Sequence, residues 1–212
     1  MGSELTLFMR GILEGDTFLE RLLYPSFGQQ IWSGAHNAPL DAFLARANDA
    51  VREVFKGSVT YASVPMEEVD WGRFDVVAVD LYRDARIRDR FADLLRRFFT
   101  YDRPVVITEF GCCTYWGAAD AGGMGWAIVD LDIVELGKRP PQLNGQYLRD
   151  EAEQAQEVAD LLAIFDDAGV GDLAAAFPEL PWDASRWGTT YPDMPWEPKQ
   201  SFRAVADFYA GI

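Results

Sequence analysis

The chain has 212 residues and carries 34 acidic against 19 basic side chains, a formal net charge of −15. That balance disfavours nucleic-acid phosphates and anionic membrane surfaces as partners. Apolar residues make up 49% and charged residues 25%, which excludes a chain disordered throughout and fits one globular domain over 1–212.

The predicted elements alternate. Leu5-Thr6-Leu7-Phe8-Met9 reads as a strand end running into a loop. From Pro39 to Phe55, Leu40, Phe43, Leu44, Ala47, Val51, Val54 and Phe55 recur at helical spacing. Ser58–Ser63, Asp75–Asp80 and Pro104–Glu109 are short, rich in β-branched residues and polar at their ends, the pattern of parallel strands covered on both faces. Between the last two, Asp84–Phe99 carries Ile87, Phe91, Leu94, Leu95, Phe98 and Phe99 on one helical stripe. A long glycine-rich loop, Cys112–Gln146, has the size of a lid or site loop. A third helix is expected over Leu148–Ala168, with Ala155, Val158, Leu162 and Phe165 inward, and a weaker strand over Asp172–Phe177. The segment Pro178–Pro198, rich in Pro and Trp, reads as irregular surface structure. A last helix follows Pro198, with Phe202, Val205, Ala206 and Tyr209 as its stripe.

Strands alternating with amphipathic helices imply right-handed βαβ units and a parallel sheet. Four or five such units are countable, whereas a closed barrel takes eight.

The sharpest chemical signal is Glu109, delivered by Val105-Val106-Ile107-Thr108 to the carboxyl end of a strand, the rim on which barrels build active sites. A rim carboxylate tied to a neighbouring arginine is the bland alternative. His36, the one histidine, precedes a helix in "GAHNAPLDAF" and is a candidate substrate contact, with capping or packing as the alternative. With one histidine and no ligand-spaced cysteines, no metal is expected. "GGMG" at Gly122–Gly125 lacks the lysine and strand–turn–helix setting of a phosphate loop, so no nucleotide cofactor is expected either. Cys112 and Cys113 are adjacent, close no useful loop and read as small packing residues, which favours a reducing cytoplasm. No apolar run reaches about 18 residues, so no membrane span is expected. Among the tryptophans, Trp116 and Trp126 follow Glu109 on the glycine-rich loop and are the best candidates for stacking on a sugar ring.

The run Val105–Gly111, "VVITEFG", resembles the seventh-strand nucleophile motif of clan-A glycoside hydrolases. "GSELTLF" at Gly2–Phe8 places Glu4 in the register of the fourth-strand acid/base, with two strands between. "VDLYRD" at Val79–Asp84 is similar to a sixth-strand end, where Asp80 and Tyr82 would orient the nucleophile or bind sugar hydroxyls. "MPWEPKQSF" looks like the approach to the final barrel helix. More narrowly, "VVITEFGCCTYWGAADAGGMGW" and "TTYPDMPWEPK" resemble actinobacterial proteins labelled for abortive phage infection, a label that states no biochemical activity.

The resemblance implies an α/β fold, the C-terminal portion of a (β/α)8 barrel from about strand four to strand eight. It also implies retaining hydrolysis of a carbohydrate by two glutamates, Glu109 as nucleophile and Glu4 as acid/base. A departure accompanies it: where the family has an aromatic eighth strand, this chain has Ala174-Ala175-Ala176. The alternative is a non-catalytic truncated barrel or interaction protein that pairs with itself or with a complementing fragment.

Overall fold

A computed structural model describes residues 1–130, 142–170 and 197–211, with the backbone of 172–173 and 182–183. Its contacts divide the chain into two compact units: residues 1–81, 96–108 and 170–174 form the first, and 82–95, 109–169 and 175–212 the second.

The first unit is built on a parallel sheet. Strands β1 (Ala62–Ser63), β2 (Val77–Asp80) and β3 (Val105–Glu109) lie in that order, followed by a fourth, Asp172–Leu173. The registers Ala62↔Ala78 and Ile107↔Leu173 fix the pairing at its two sides. Ser3 adds a single parallel bridge to Ala62, so the N-terminus lies outside β1. All four residues of β2 are buried, as a strand covered on both faces requires.

Two expectations are corrected here. Ser58–Ser63 makes a regular ladder only at its last two residues. Upstream, the Asp75 carboxylate accepts from the Val59 N–H and the Thr60 hydroxyl donates to the Val76 carbonyl, so side-chain bonds stand beside a single backbone bond from the Asp75 N–H to the Val59 carbonyl. The N-terminal "LTLFM" is not a strand end but a one-turn helix, α1 (Leu5–Phe8). It is followed by α2 (Phe18–Leu23), closed by a Thr17/Glu20 capping box, and by α3 (Phe27–Ser33). The long α4 (Asn37–Val54) matches expectation and turns Leu40, Leu44 and Asn48 inward, but the end of its supposed stripe, Val54 and Phe55, is exposed.

In the second unit the helix expected from Asp84 starts later. The Asp84 carboxylate accepts from the N–H groups of Arg86 and Ile87, which holds a turn and delays α5 to Phe91–Arg96, flanked by short 3-10 turns. The glycine-rich loop folds locally. It contains α6 (Ala118–Ala121), a 3-10 turn over Gly122–Ile128, and an antiparallel pair of Val129–Asp130 with Gln142–Leu143. Its core is a small cluster of Cys112, Cys113, Tyr115, Ala118 and Ala119; both cysteines are buried thiols, as packing residues should be.

Helix α7 (Glu151–Ala168) starts at an Asp150 cap and stops at Gly169 in the left-handed region, with Val158, Leu161, Leu162 and Phe165 buried. Phe165 meets Phe110 edge to face. The last helix, α8 (Gln200–Ala210), packs on α7 but begins after Pro198, which lies in a short antiparallel pair with Trp182. Its inward contact is polar: Ser201 donates to Gln154, whose amide donates to the Cys112 carbonyl, while Phe202 and Tyr209 of the expected stripe are exposed. Residues 174–177 of the expected strand and most of 178–198 lie outside the described residues.

Candidate functional site

In a parallel sheet all strands end at one edge, and polar residues gather there because apolar neighbours fill the strand interiors. In the first unit that edge carries Ser3, Asp80 and Thr108. Asp80, the last residue of β2, is buried and accepts two short hydrogen bonds, from the Ser3 hydroxyl at 2.6 Å and the Thr108 hydroxyl at 2.6 Å. Burial pushes its carboxyl above the usual range, and the two hydroxyl donors pull the other way. A carboxylate oxygen of Glu4 lies within 4.8 Å of one from Asp80. The pair would offer two oxygen donors to a divalent cation, far short of a full coordination shell.

Glu4 is half-buried and sits at φ 49°, ψ 39°, the left-handed region, one of two non-glycine residues with positive φ among those described. That conformation costs an ordinary L-residue about 1–2 kcal/mol. Backbone bonds hold it: the Glu4 N–H donates to the Ala62 carbonyl at 3.0 Å, and the Ala62 N–H donates to the Gly2 carbonyl at 3.2 Å. The next two amides are held by side chains. Leu5 N–H donates to the Tyr61 hydroxyl at 2.7 Å, and Thr6 N–H to the Glu67 carboxylate at 3.0 Å.

His36, also in this unit, is buried. Its Nε2 lies 2.8 Å from the Met66 carbonyl and its Nδ1 3.4 Å from that of Gln30, the setting of a packing histidine rather than a sugar contact.

In the second unit Glu109, the last residue of β3, is half-buried and accepts a 2.9 Å hydrogen bond from the Tyr82 hydroxyl. The Tyr82 ring is backed by Gly123: a Cβ built there would stand 2.9 Å from the ring's Cδ2, so only glycine lets the 3-10 turn lie flat on the tyrosine. Next in sequence, Arg83 is drawn into a two-pronged ion pair with Glu157 of α7. Trp116 is 73% exposed, with its N–H bonded to the Leu148 carbonyl; Trp126 is half-buried in the 3-10 turn.

The structure thus brings Glu4 to Asp80 in one unit and Tyr82 to Glu109 in the other. The hydroxyls on Asp80, the Tyr61–Glu67 contacts and the role of Gly123 had no sequence motif to announce them. Only the Gly-Gly pair carried a signal, a demand for close backbone approach, and it did not say to what.

No family model matches the chain, and no curated protein matches it. Solved structures do. Two described as structures of GH113 β-1,4-mannanase are similar with TM-scores of 0.52 and 0.58 at 19% and 17% identity, over 78% and 82% of this chain and 49% and 52% of theirs. A third, the GH113 β-mannanase AaManA from Alicyclobacillus acidocaldarius in complex with ManMIm, has a TM-score of 0.53 at 19% identity, over 81% of this chain and 51% of that one. At such identities the likeness is one of fold. The chain is similar to glycoside hydrolases of the barrel type and spans about half the length of those it matches.

Proposed function

We propose that the chain is a retaining glycoside hydrolase-like protein in which Glu109 is the nucleophile and Glu4 the acid/base. The observation that carries the reading is the hydrogen bond from Tyr82 to Glu109 at the end of β3, in a chain whose fold is glycosidase-like. A nucleophilic carboxylate must keep one oxygen aimed at the anomeric carbon. A hydroxyl donor on the other oxygen fixes its rotation without neutralising the charge. Glu4 suits the second role because it follows the Ser3 bridge to β1 and its carboxylate lies within 4.8 Å of that of Asp80, the last residue of β2. In the proposed reaction Glu4 gives its proton to the departing oxygen while Glu109 bonds to the sugar. Glu4 then takes a proton from the water that releases it.

The neighbours' substrate, a β-1,4-mannan, makes a β-linked sugar polymer the first class to test, with the exposed Trp116 as a stacking face. Turnover of a panel of aryl β-glycosides, β-mannosides included, should be abolished by Glu109→Gln. Absence of any Glu109-dependent turnover refutes the assignment. That outcome favours a second reading, motivated by the half-length match: an interaction module or complementing fragment. The narrower likeness to proteins labelled for phage infection stays compatible with either. No described helix is long and apolar enough to cross a membrane.

A further inference from the structure

We infer that Glu67, acting with Tyr61, is the positioning device that sets the backbone of Glu4 for proton transfer; the inference rests on the reading of Glu4 as acid/base. Helix α1 begins at Glu4 and runs for only four residues, so its first amides need acceptors from elsewhere. A short polar side chain at this position, Ser, Thr, Asp or Asn, would fold back onto those amides itself. Glu4 does not: its side chain makes no capping bond. The two amides that follow Glu4 are instead taken by residues about 60 positions away in sequence, Leu5 by the Tyr61 hydroxyl and Thr6 by the Glu67 carboxylate. Capping is thereby removed from the duties of the Glu4 carboxylate.

The clamp is a closed set of bonds. The Tyr61 hydroxyl accepts from Leu5 and donates to Glu67, with its oxygen 3.0 Å and 2.9 Å from the two carboxylate oxygens. Glu67 also accepts from the Val64 N–H at 3.2 Å, which ties the loop after β1 into the same knot. Both side chains are buried, Tyr61 wholly and Glu67 to 8% exposure, so neither is placed to touch a substrate. Burial raises the Tyr61 phenol far above its ordinary value, which keeps the hydroxyl a donor to Glu67. A buried carboxylate is an expensive way to cap one turn of helix. What it accomplishes is local: the Ala62 carbonyl holds the peptide unit before Glu4, Tyr61 the unit after it and Glu67 the next one along, and together they keep Glu4 in a left-handed conformation that L-residues avoid.

The test separates positioning from mere stability through the leaving group. A general acid speeds departure of a weakly acidic phenol and adds little when the phenol is already acidic. In the full chain, Glu4→Gln should lower kcat/KM for a phenyl glycoside by about 10²–10⁴-fold, the usual worth of general acid catalysis, and barely lower kcat/KM for the dinitrophenyl glycoside, because that ratio reports the step in which the phenol departs. Glu67→Gln and Tyr61→Phe should show the same leaving-group selectivity in kcat/KM, up to about 100-fold, as a displacement of about 1 Å causes. If either folded variant slows both substrates equally, or neither, the positioning role is overturned. Tyr61→Phe decides should Glu67→Gln not fold. If Glu4→Gln itself shows no leaving-group dependence, or the parent protein turns over neither glycoside, it is the acid/base reading that fails and this inference with it.

Discussion

Removing one partner of the Arg83–Glu157 pair should be among the most damaging single changes to the second unit. The two side chains are 10% and 4% exposed, and Arg83 donates from Nε to Oε1 at 2.9 Å as well as from Nη2 to Oε2. In Glu157→Leu the guanidinium would keep only Asp160, 3.4 Å away and 46% exposed. Breaking a buried pair from one side costs about 3–5 kcal/mol, because the surviving charge stays out of water without compensation. In a protein of 150–250 residues each kcal/mol moves the melting temperature by about 2–4 °C, so Tm should fall by about 6–20 °C. The double variant Arg83→Met with Glu157→Leu leaves no stranded charge and should return to within about 1 kcal/mol of the parent or exceed it. Urea titration followed by circular dichroism measures all three. Glu157→Leu losing under about 1 kcal/mol, or the double variant being as poor as the two singles added together, would refute the reasoning.

Two further outcomes are expected. Gly123→Ala should push the 3-10 turn off the Tyr82 ring and loosen its bond to Glu109, lowering kcat in the parent yet costing nothing further in a Tyr82→Phe background; equal losses in both backgrounds would show that Gly123 acts elsewhere. The second concerns pH. Asp80 has a folded pKa raised by burial, so it binds its proton more tightly when folded. The stability it lends is full below its unfolded value, about 3.9, and is lost as pH rises through the folded one. The stability of the parent relative to Asp80→Asn should therefore improve from pH ~7 to pH ~4. A difference that stays constant with pH sinks the assignment.

The sheet was legible because β2 and β3 are bare runs of β-branched residues, and α4 and α7 because their stripes are long. The first strand was legible in place but not in length, since Thr60 and Asp75 bond through side chains that no periodicity reports. "LTLFM" alternates like a strand, yet it coils because Tyr61 and Glu67 cap its first amides, a long-range effect invisible in a local window. Glu109 was legible as a strand-end carboxylate after an apolar run. Asp80 and Tyr82 were found through a motif two residues apart, but what each touches required neighbouring strands and turns. His36 fails as a rim residue for a similar reason: its partners, Met66 and Gln30, come from other segments that bury it.

Three carboxylates of this reading each accept from a hydroxyl. Asp80 is met by the hydroxyls of Ser3 and Thr108, Glu67 by that of Tyr61, and Glu109 by that of Tyr82. A guanidinium in those places would hold a carboxyl firmly ionised and well below its usual range. A hydroxyl fixes orientation and leaves the charge state of the carboxyl less strongly biased. Arg83, the cation next in sequence to Tyr82, is turned instead to Glu157 on α7, where a fixed charge serves anchorage rather than chemistry. Under the proposed function, the hydroxyls at the strand ends serve to orient carboxylates and the guanidinium serves to anchor the helix. That division explains why stability should respond most to Glu157 while catalysis should respond most to Tyr61, Tyr82 and the glutamates they touch or position.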